Sequence, residues 1–429
     1  MTETWSGRIG FLFAAIGSAV GLGSVWRFPT MVGAHGGGAY LLPYVVAVFL
    51  FATPIMILEF AMGRHFACDV VSVFRRVNGR FAVIGWIICA TTFVILSYYL
   101  VIAGWTLGFS VFSIVGSGTT FPAFTGSCDP VIFFIATAII VGLIVSSGIR
   151  AGIERVSSLI IPFIVVILCI LAAFVATLPG FAEGISYYLT PDFSVLSDPS
   201  LWIAATGQAF YTLSIGMGIL VTYGAYLAKE ENLLASSVIV SFADLAISLL
   251  AGFVIFPIVF SFGLAPSAGA ELAFLTLPAG FALMPGGRIV SSGFFLLLFL
   301  SALLSSIAMF EVVAAAAIGA TGFTRRQACV LVTAGLILAG LPAALSYSGL
   351  HLTIAGANVL DTMDHFAGTI FVTVTGILTA VAFSWYVDRR TIESGIESES
   401  PFVRIIVPLC RYVIPPALIL VLVAALFAG

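Results

Sequence analysis

Charge is what this sequence of 429 residues has least of: Asp, Glu, Lys and Arg together make up 8% of it. Soluble domains carry about a quarter charged residues, so a chain this poor in them falls outside the ordinary soluble classes. Histidine is scarce as well. His35, His65, His351 and His365 stand far apart, which argues against a haem or a metal centre. Six cysteines are scattered without CxxC spacing, and only Cys128 falls in a loop placed outside, so no extracellular disulfide pair is available. The opening MTETWSGRIGFLF has no basic stretch before a short apolar run and no small-residue cleavage site, so no removable leader is apparent. A net charge of −3 gives no reason to expect nucleic acid as a partner.

Apolar residues are abundant instead, at 61% of the chain, with a mean hydropathy of +1.21. That balance belongs to an all-α polytopic membrane protein read in spans of about 20 residues. Eleven apolar runs follow, near 9–33, 39–63, 82–115, 130–147, 156–178, 201–228, 233–263, 289–320, 327–346, 361–387 and 403–427. The eighth and ninth are separated only by GATGFTRRQ. With the N-terminus inside, fourteen of the sixteen Lys and Arg residues fall in cytoplasmic loops or at inner span ends, leaving Arg27 and Arg288 outside. A wrong span count would scatter them, so the asymmetry supports both count and orientation. The outer loops carry Asp129, Glu183, Asp192, Asp198, Glu271, Asp361 and Asp364. TIESGIESES (391–400) reads as an acidic cytoplasmic linker. ELAFLTLPAGFALMPGG (271–287) is too apolar for a solvated loop and is expected to fold back onto the protein.

Two spans are interrupted. The first contains GSAVGLGSVWRFP, Gly17 to Pro29, and the sixth contains GQAFYTLSIGMGILVTYGAY, Gly207 to Tyr226. Glycine in a membrane helix often serves close packing alone. Matched interruptions in corresponding places of two five-span blocks instead point to a transporter built from inverted repeats. The blocks are 1–178 and 201–387, followed by 388–429 with the linker and eleventh span. An unwound mid-membrane segment must face a protein cavity, where freed carbonyls suit a cation and half-helix N-termini suit a carboxylate.

RIGFLFAAIGSAVGLGSVWRFP, GGGAYLLPY and LEFAMGR resemble the opening of the neurotransmitter:sodium symporter family, including its prokaryotic amino-acid transporters. The likeness continues in order through SYYLVIAGWTLGF, WIAATGQAFYTLSIGMG, AGFVIFP, SSIAM and DTMDHFAGTI. A twelfth span found in some members is absent. The resemblance implies a sodium-coupled symporter for hydrophobic or aromatic amino acids, working by alternating access in the cell membrane of a prokaryote.

One sodium site is implied at the Ala19 carbonyl, Thr212, Ser24 and Asp244; many relatives carry asparagine at the last two positions. Asp244 deep in a span is costly unless paired; a protonated structural aspartate is the alternative. The carboxylate that many bacterial relatives carry one helical turn further along corresponds to Ser248, so chloride is not expected to be required. A second sodium site is implied at Gly17, Val20, Ser301 and Ser305, but Leu304 stands where a hydroxyl belongs, leaving one or two ions open.

For the substrate, the resemblance implies Ala19, Leu22, Gly23, Ile95, Tyr99, Tyr211, Thr212, Ser214, Met217, Ser305 and Met309. Leu22 and Gly23 would offer amides and Tyr99 its hydroxyl to a carboxylate. Gly21 stands where amine transporters have aspartate, which favours an amino acid over an amine. The two methionines are adaptable pocket or core filler. Arg27 and Asp364 are implied as the outer gate pair. The usual inner pair is missing at Thr2 and Gly319, leaving Trp5, Arg8 and Tyr226 as candidates, and Glu59 is expected to hydrogen-bond the unwound sixth span. No nucleophile–base pair stands out, so the protein is not read as an enzyme. A proton-coupled transporter of the same fold with Asp244 titrating, or a non-transporting amino-acid sensor, are the alternatives. Monomer and homodimer both stay open.

Overall fold

Hydrocarbon cannot hydrogen-bond a peptide group, so a chain of long apolar runs satisfies its backbone within helices. The computed structural model describes residues 3–229, 231–264, 272–284, 286–350, 352–354, 356–396 and 403–427. Thr2 and Glu271 lie outside them, as do residues 397–400 of the acidic linker. Among the described residues nine helices are long and apolar enough to cross a membrane: Gly37–Phe66, Gly79–Val115, Asp129–Ser146, Ile149–Val175, Leu233–Ser261, Gly287–Thr321, Arg325–Leu345, Val359–Tyr386 and Val403–Phe427. A tenth span is a pair, Arg8–Ala19 and Gly23–Ala34, bent by 52°. The sixth span consists of two shorter helices, Pro199–Thr212 and Ile219–Gly224. Neither piece alone reaches across about 30 Å of hydrocarbon at 1.5 Å per residue.

The helices differ in how deeply they lie. In the most apolar window of Gly287–Thr321, 83% of residues are buried, against 33% for Val403–Phe427. Gly287–Thr321 and Gly79–Val115 therefore form the centre, and the last span faces lipid along most of its length. Exposed Leu159, Ile170 and Leu338 mark other lipid-facing surfaces. The eighth and ninth spans separate cleanly because Thr324 and Gln327 form a capping box at the start of Arg325–Leu345.

The connection after the seventh span folds back as its composition requires. Ala273, Phe274, Leu277 and Phe281 are buried, the last two within the short helix Leu277–Leu283. The described part of the acidic linker is more than a solvated tether. It forms the helix Arg389–Ile396, which buries Ile392 and Ile396. Arg64, near the end of the second span, donates from Nε to the Gly395 carbonyl at 3.2 Å. Contacts among Arg8, Arg64, Arg150, Arg325 and their partners gather at one end of the bundle, termed the basic face below.

Candidate functional site

The two interruptions meet in the middle of the fold. Val20 leaves the first helix at φ −75° and ψ 80°, and the Gly21 N–H turns back to the Ala19 carbonyl at 2.9 Å. A side chain at Gly21 would run into the Ser305 hydroxyl and stand 3.0 Å from that of Tyr99, so glycine is required for that approach. In the sixth span Ser214, Gly216 and Gly218 all have positive φ. Ser214 is a non-glycine residue in that region, a conformation costing on the order of 1–3 kcal/mol. Its hydroxyl donates to the Ser18 carbonyl at 3.0 Å, which ties one break to the other. Buried side chains satisfy other freed groups. Glu59 accepts from the Gly216 N–H at 3.0 Å, as anticipated, Thr92 donates to the Met217 carbonyl at 2.8 Å and Gln208 to the Gly23 carbonyl at 2.9 Å.

Between the breaks lies a cavity of about 30 Å³. Ten of the eleven residues singled out for the substrate line it: Ala19, Gly23, Ile95, Tyr99, Tyr211, Thr212, Ser214, Met217, Ser305 and Met309. Leu22 does not. Its N–H donates to the Tyr99 hydroxyl at 3.2 Å, so two groups expected to face a carboxylate hold each other here. Ser18, Gly21 and Ile219 also line the cavity. Ile219, the first helical residue after the break, carried no polar signal that could have marked it. Among the described residues no lining side chain is charged. The volume suffices for about two waters, so admitting an amino-acid side chain requires the walls to move.

Beside the cavity is a buried cluster of oxygens. Ser24 and Asp244 are fully buried, and the Ser24 hydroxyl donates to Asp244 Oδ1 at 2.5 Å while lying 3.2 Å from the Ala19 carbonyl oxygen. Asp244 Oδ2 has no hydrogen-bond partner. Thr212 Oγ1 lies 3.2 Å from the Tyr44 hydroxyl and donates back to the Gln208 carbonyl at 3.0 Å. A buried carboxylate oxygen without a partner is expensive, and hard oxygen donors are the set that a small hard cation needs.

The second implied cation position is built differently. Ser305 donates weakly to the Ser18 carbonyl at 3.4 Å, and the buried Ser301 hydroxyl has no partner. Leu304 is buried against Gly17, its Cδ1 only 3.1 Å from where a Cβ would stand. An apolar side chain thus abuts the Gly17 backbone that was to share in the site, as Val20 and Ser301 were.

The two ends of the path close in different ways. Arg27 stacks its guanidinium 4.2 Å from the centre of the Tyr211 ring, and Asp364 accepts from the Tyr98 hydroxyl at 2.8 Å. Among the described residues no ion pair within 4 Å joins Arg27 to Asp364, so the direct gate pair is replaced by a separate aromatic partner for each charge.

At the basic face the N-terminal segment is strapped down. The Trp5 indole donates to the Tyr223 carbonyl at 3.1 Å, Ser6 N–H donates to Glu154 at 2.9 Å, and Arg8 pairs with Glu231 at 3.2 Å. Glu311, fully buried, accepts from Tyr226 at 2.5 Å and from Arg325 at 2.7 Å; Arg325 also pairs with Glu3 at 3.2 Å. Trp5, Arg8 and Tyr226 are the candidates the sequence offered for this end, whereas Glu3 and Arg325 were missed. A glutamate inside an apolar span followed by arginines in the next loop was the available signal. At Gly319, Asp69 lies where a side chain would project, 2.7 Å from the Cβ position.

Comparison with known proteins places this geometry. The profile described as Sodium:neurotransmitter symporter family matches residues 2–120 and 126–428. The chain is 32% identical over 450 residues to an uncharacterized sodium-dependent transporter of Haemophilus influenzae, covering 99% of this chain and 98% of that one. It is 34% identical over 409 residues to another of Methanocaldococcus jannaschii, covering 89% and 82%. The crystal structure of MhsT in complex with L-phenylalanine superposes with a TM-score of 0.90 at 35% identity, covering 99% of this chain and 100% of that one. The chain belongs to the sodium:neurotransmitter symporter family, as a multi-pass sodium-coupled secondary transporter.

Proposed function

We propose that this symporter imports large hydrophobic or aromatic amino acids through the cavity between its two broken helices, with one sodium ion per substrate. The observation that carries the reading is the juxtaposition of an uncharged cavity with a buried, half-partnered carboxylate. In this scheme sodium lies against Asp244, Ser24, Thr212 and the Ala19 carbonyl. It offsets the cost of the buried charge, which gives the ion a reason to bind there and nowhere nearby. The substrate carboxylate takes the Leu22 and Gly23 amides and the Tyr99 hydroxyl, so the Leu22–Tyr99 hydrogen bond opens to admit it. The ammonium meets carbonyls of the unwound segments and the Ser214 hydroxyl. Ile95, Met217 and Met309 receive the side chain, and Tyr211 under Arg27 serves as the lid. The relative MhsT, solved with L-phenylalanine, supports an aromatic guest.

Leu304 against Gly17 favours one ion over two, because losing a side-chain oxygen weakens a hard-cation site. Asp244 supplies the local negative charge, with Ser248 one turn on, so no chloride is needed. Blocks 1–178 and 201–387 rock about the central site, 388–429 is peripheral, and the N-terminus lies in the cytoplasm of a prokaryotic cell. The strap from Glu3 to Arg8 and the Glu311–Arg325 pair then close the cytoplasmic exit, while Arg27, Tyr211 and Asp364 guard the entrance. The test is uptake of a labelled amino-acid panel into proteoliposomes, with inward sodium or with potassium at matched pH and potential. Accumulation of phenylalanine, tryptophan, tyrosine or leucine with sodium alone is the expected result. Uptake following pH and indifferent to sodium would instead mean proton coupling.

A further inference from the structure

A second and larger cavity, about 550 Å³, lies at the end of the bundle opposite the basic face. Its size is that of sites for small organic ligands, roughly 300–1,000 Å³. The walls are the end of Gly79–Val115, the loop after it, the folded-back helix Leu277–Leu283 and the start of Gly287–Thr321. Phenylalanines dominate them, with Phe109 5.0 Å from Phe295 and Phe121 stacked on Phe274 at 5.5 Å between ring centres. Among the described residues the one charged lining residue is Arg288. It sits in the first turn of its own helix, where the backbone dipole disfavours a cation. Its guanidinium instead reaches across to the Ile114 carbonyl, using one of five donors. Arg288 is exposed, and its guanidinium forms no other hydrogen bond or ion pair among the described residues. Next to lining residues in the chain, Ile114, Leu283 and Ile289 are 54%, 72% and 79% exposed. Exposed apolar side chains on membrane-spanning helices face lipid, so the helices that wall the cavity adjoin the leaflet.

We propose that this cavity binds an acyl-chain carboxylate drawn from the adjoining leaflet, its chain among the phenylalanines and its head group on Arg288. The lone cation selects an anion, since charge-assisted hydrogen bonds to a carboxylate are the strong ones. The phenylalanine walls, on helices that adjoin lipid, select an acyl body over a polar solute. This site is separate from the transport cavity, and its test does not require the transport reading to hold. One wall residue, Phe274, lies 5.9 Å from Trp26 beside the outer gate, so an occupant would touch the ring that borders the entrance.

The test uses the full chain in nanodiscs with 11-bromoundecanoate, whose bromine quenches nearby tryptophan. Trp105 is the reporter, 5.2 Å from Phe121 and 5.7 Å from Phe274. Saturable quenching is expected, lost in Trp105→Phe, with half-saturation raised about tenfold in Arg288→Gln. Ser291→Phe, which fills the cavity from the other wall, should abolish it without touching the arginine. The matching 11-bromoundecyl trimethylammonium should quench without saturation. Three results would each overturn the site: quenching that only follows bromolipid content, equal saturation by the cation, or half-saturation unmoved in both variants. Displacement by L-phenylalanine but not by dodecanoate would assign the cavity to an amino acid instead.

Discussion

Two positions flank the break in the first span, built on the same freed backbone and finished with different side chains. At one, Ser24 and Asp244 converge with the Ala19 carbonyl, and Asp244 Oδ2 is buried without a partner. At the other, Leu304 lies against Gly17 and the Ser301 hydroxyl has no partner. Breaking a helix supplies carbonyls to both positions, yet carbonyl dipoles alone do not make a strong cation site. The side chains decide. A buried carboxylate gives the first position an electrostatic need for a cation, and a buried leucine gives the second none.

The contrast can be broken most forcefully at its charged end. Asp244→Asn removes the buried charge, and leaving a cation without its partner costs about 3 kcal/mol. The expected outcome is an apparent sodium affinity lowered by about a hundredfold in a sodium titration of uptake. An unchanged affinity would mean that the cation is held elsewhere. Ser24→Ala is the next step down. Loss of one hydroxyl against a charged centre costs about 1.5 kcal/mol, so the same titration should shift by roughly tenfold.

Leu304→Thr sharpens the comparison from the other side by restoring an oxygen to the second position. The sodium dependence of uptake should steepen, its Hill coefficient rising from about one towards two. If the coefficient stays unchanged in the variant, Leu304 is not what weakens that position. The smallest effect is none at all. Replacing external chloride by gluconate at fixed sodium and potential should leave uptake by the parent chain unaltered. A severalfold fall would mean that Asp244 does not supply the local negative charge.

Much of this architecture was legible because the bilayer imposes it. The run at 289–320 became Gly287–Thr321 and that at 82–115 became Gly79–Val115, since apolar length is fixed by hydrocarbon thickness. The interruptions were legible too, as clusters of glycine and serine in spans that otherwise had no reason to hold them. What could not be read is which side chain takes which partner. Arg27 and Asp364 look like a pair in the sequence, yet one stacks on Tyr211 and the other accepts from Tyr98. Glu311 gained meaning only when folding brought Arg325, Tyr226 and Glu3 to it. Such networks join residues from 14 to 322 positions apart and leave no periodicity. The Leu22–Tyr99 bond escaped for a related reason: a backbone amide and a hydroxyl, each suited to a ligand, satisfy one another when the cavity is small.

The claim at the centre of the account is that one sodium, held at Asp244, moves with each amino acid. The direct measurement is a dual-label flux in proteoliposomes, counting radioactive sodium against the labelled substrate found by the uptake panel during initial entry. A ratio of about one, with both fluxes falling together in Asp244→Asn at sodium below its raised half-saturation, is the predicted result. A ratio of about two, or substrate entry with no accompanying sodium, would contradict it.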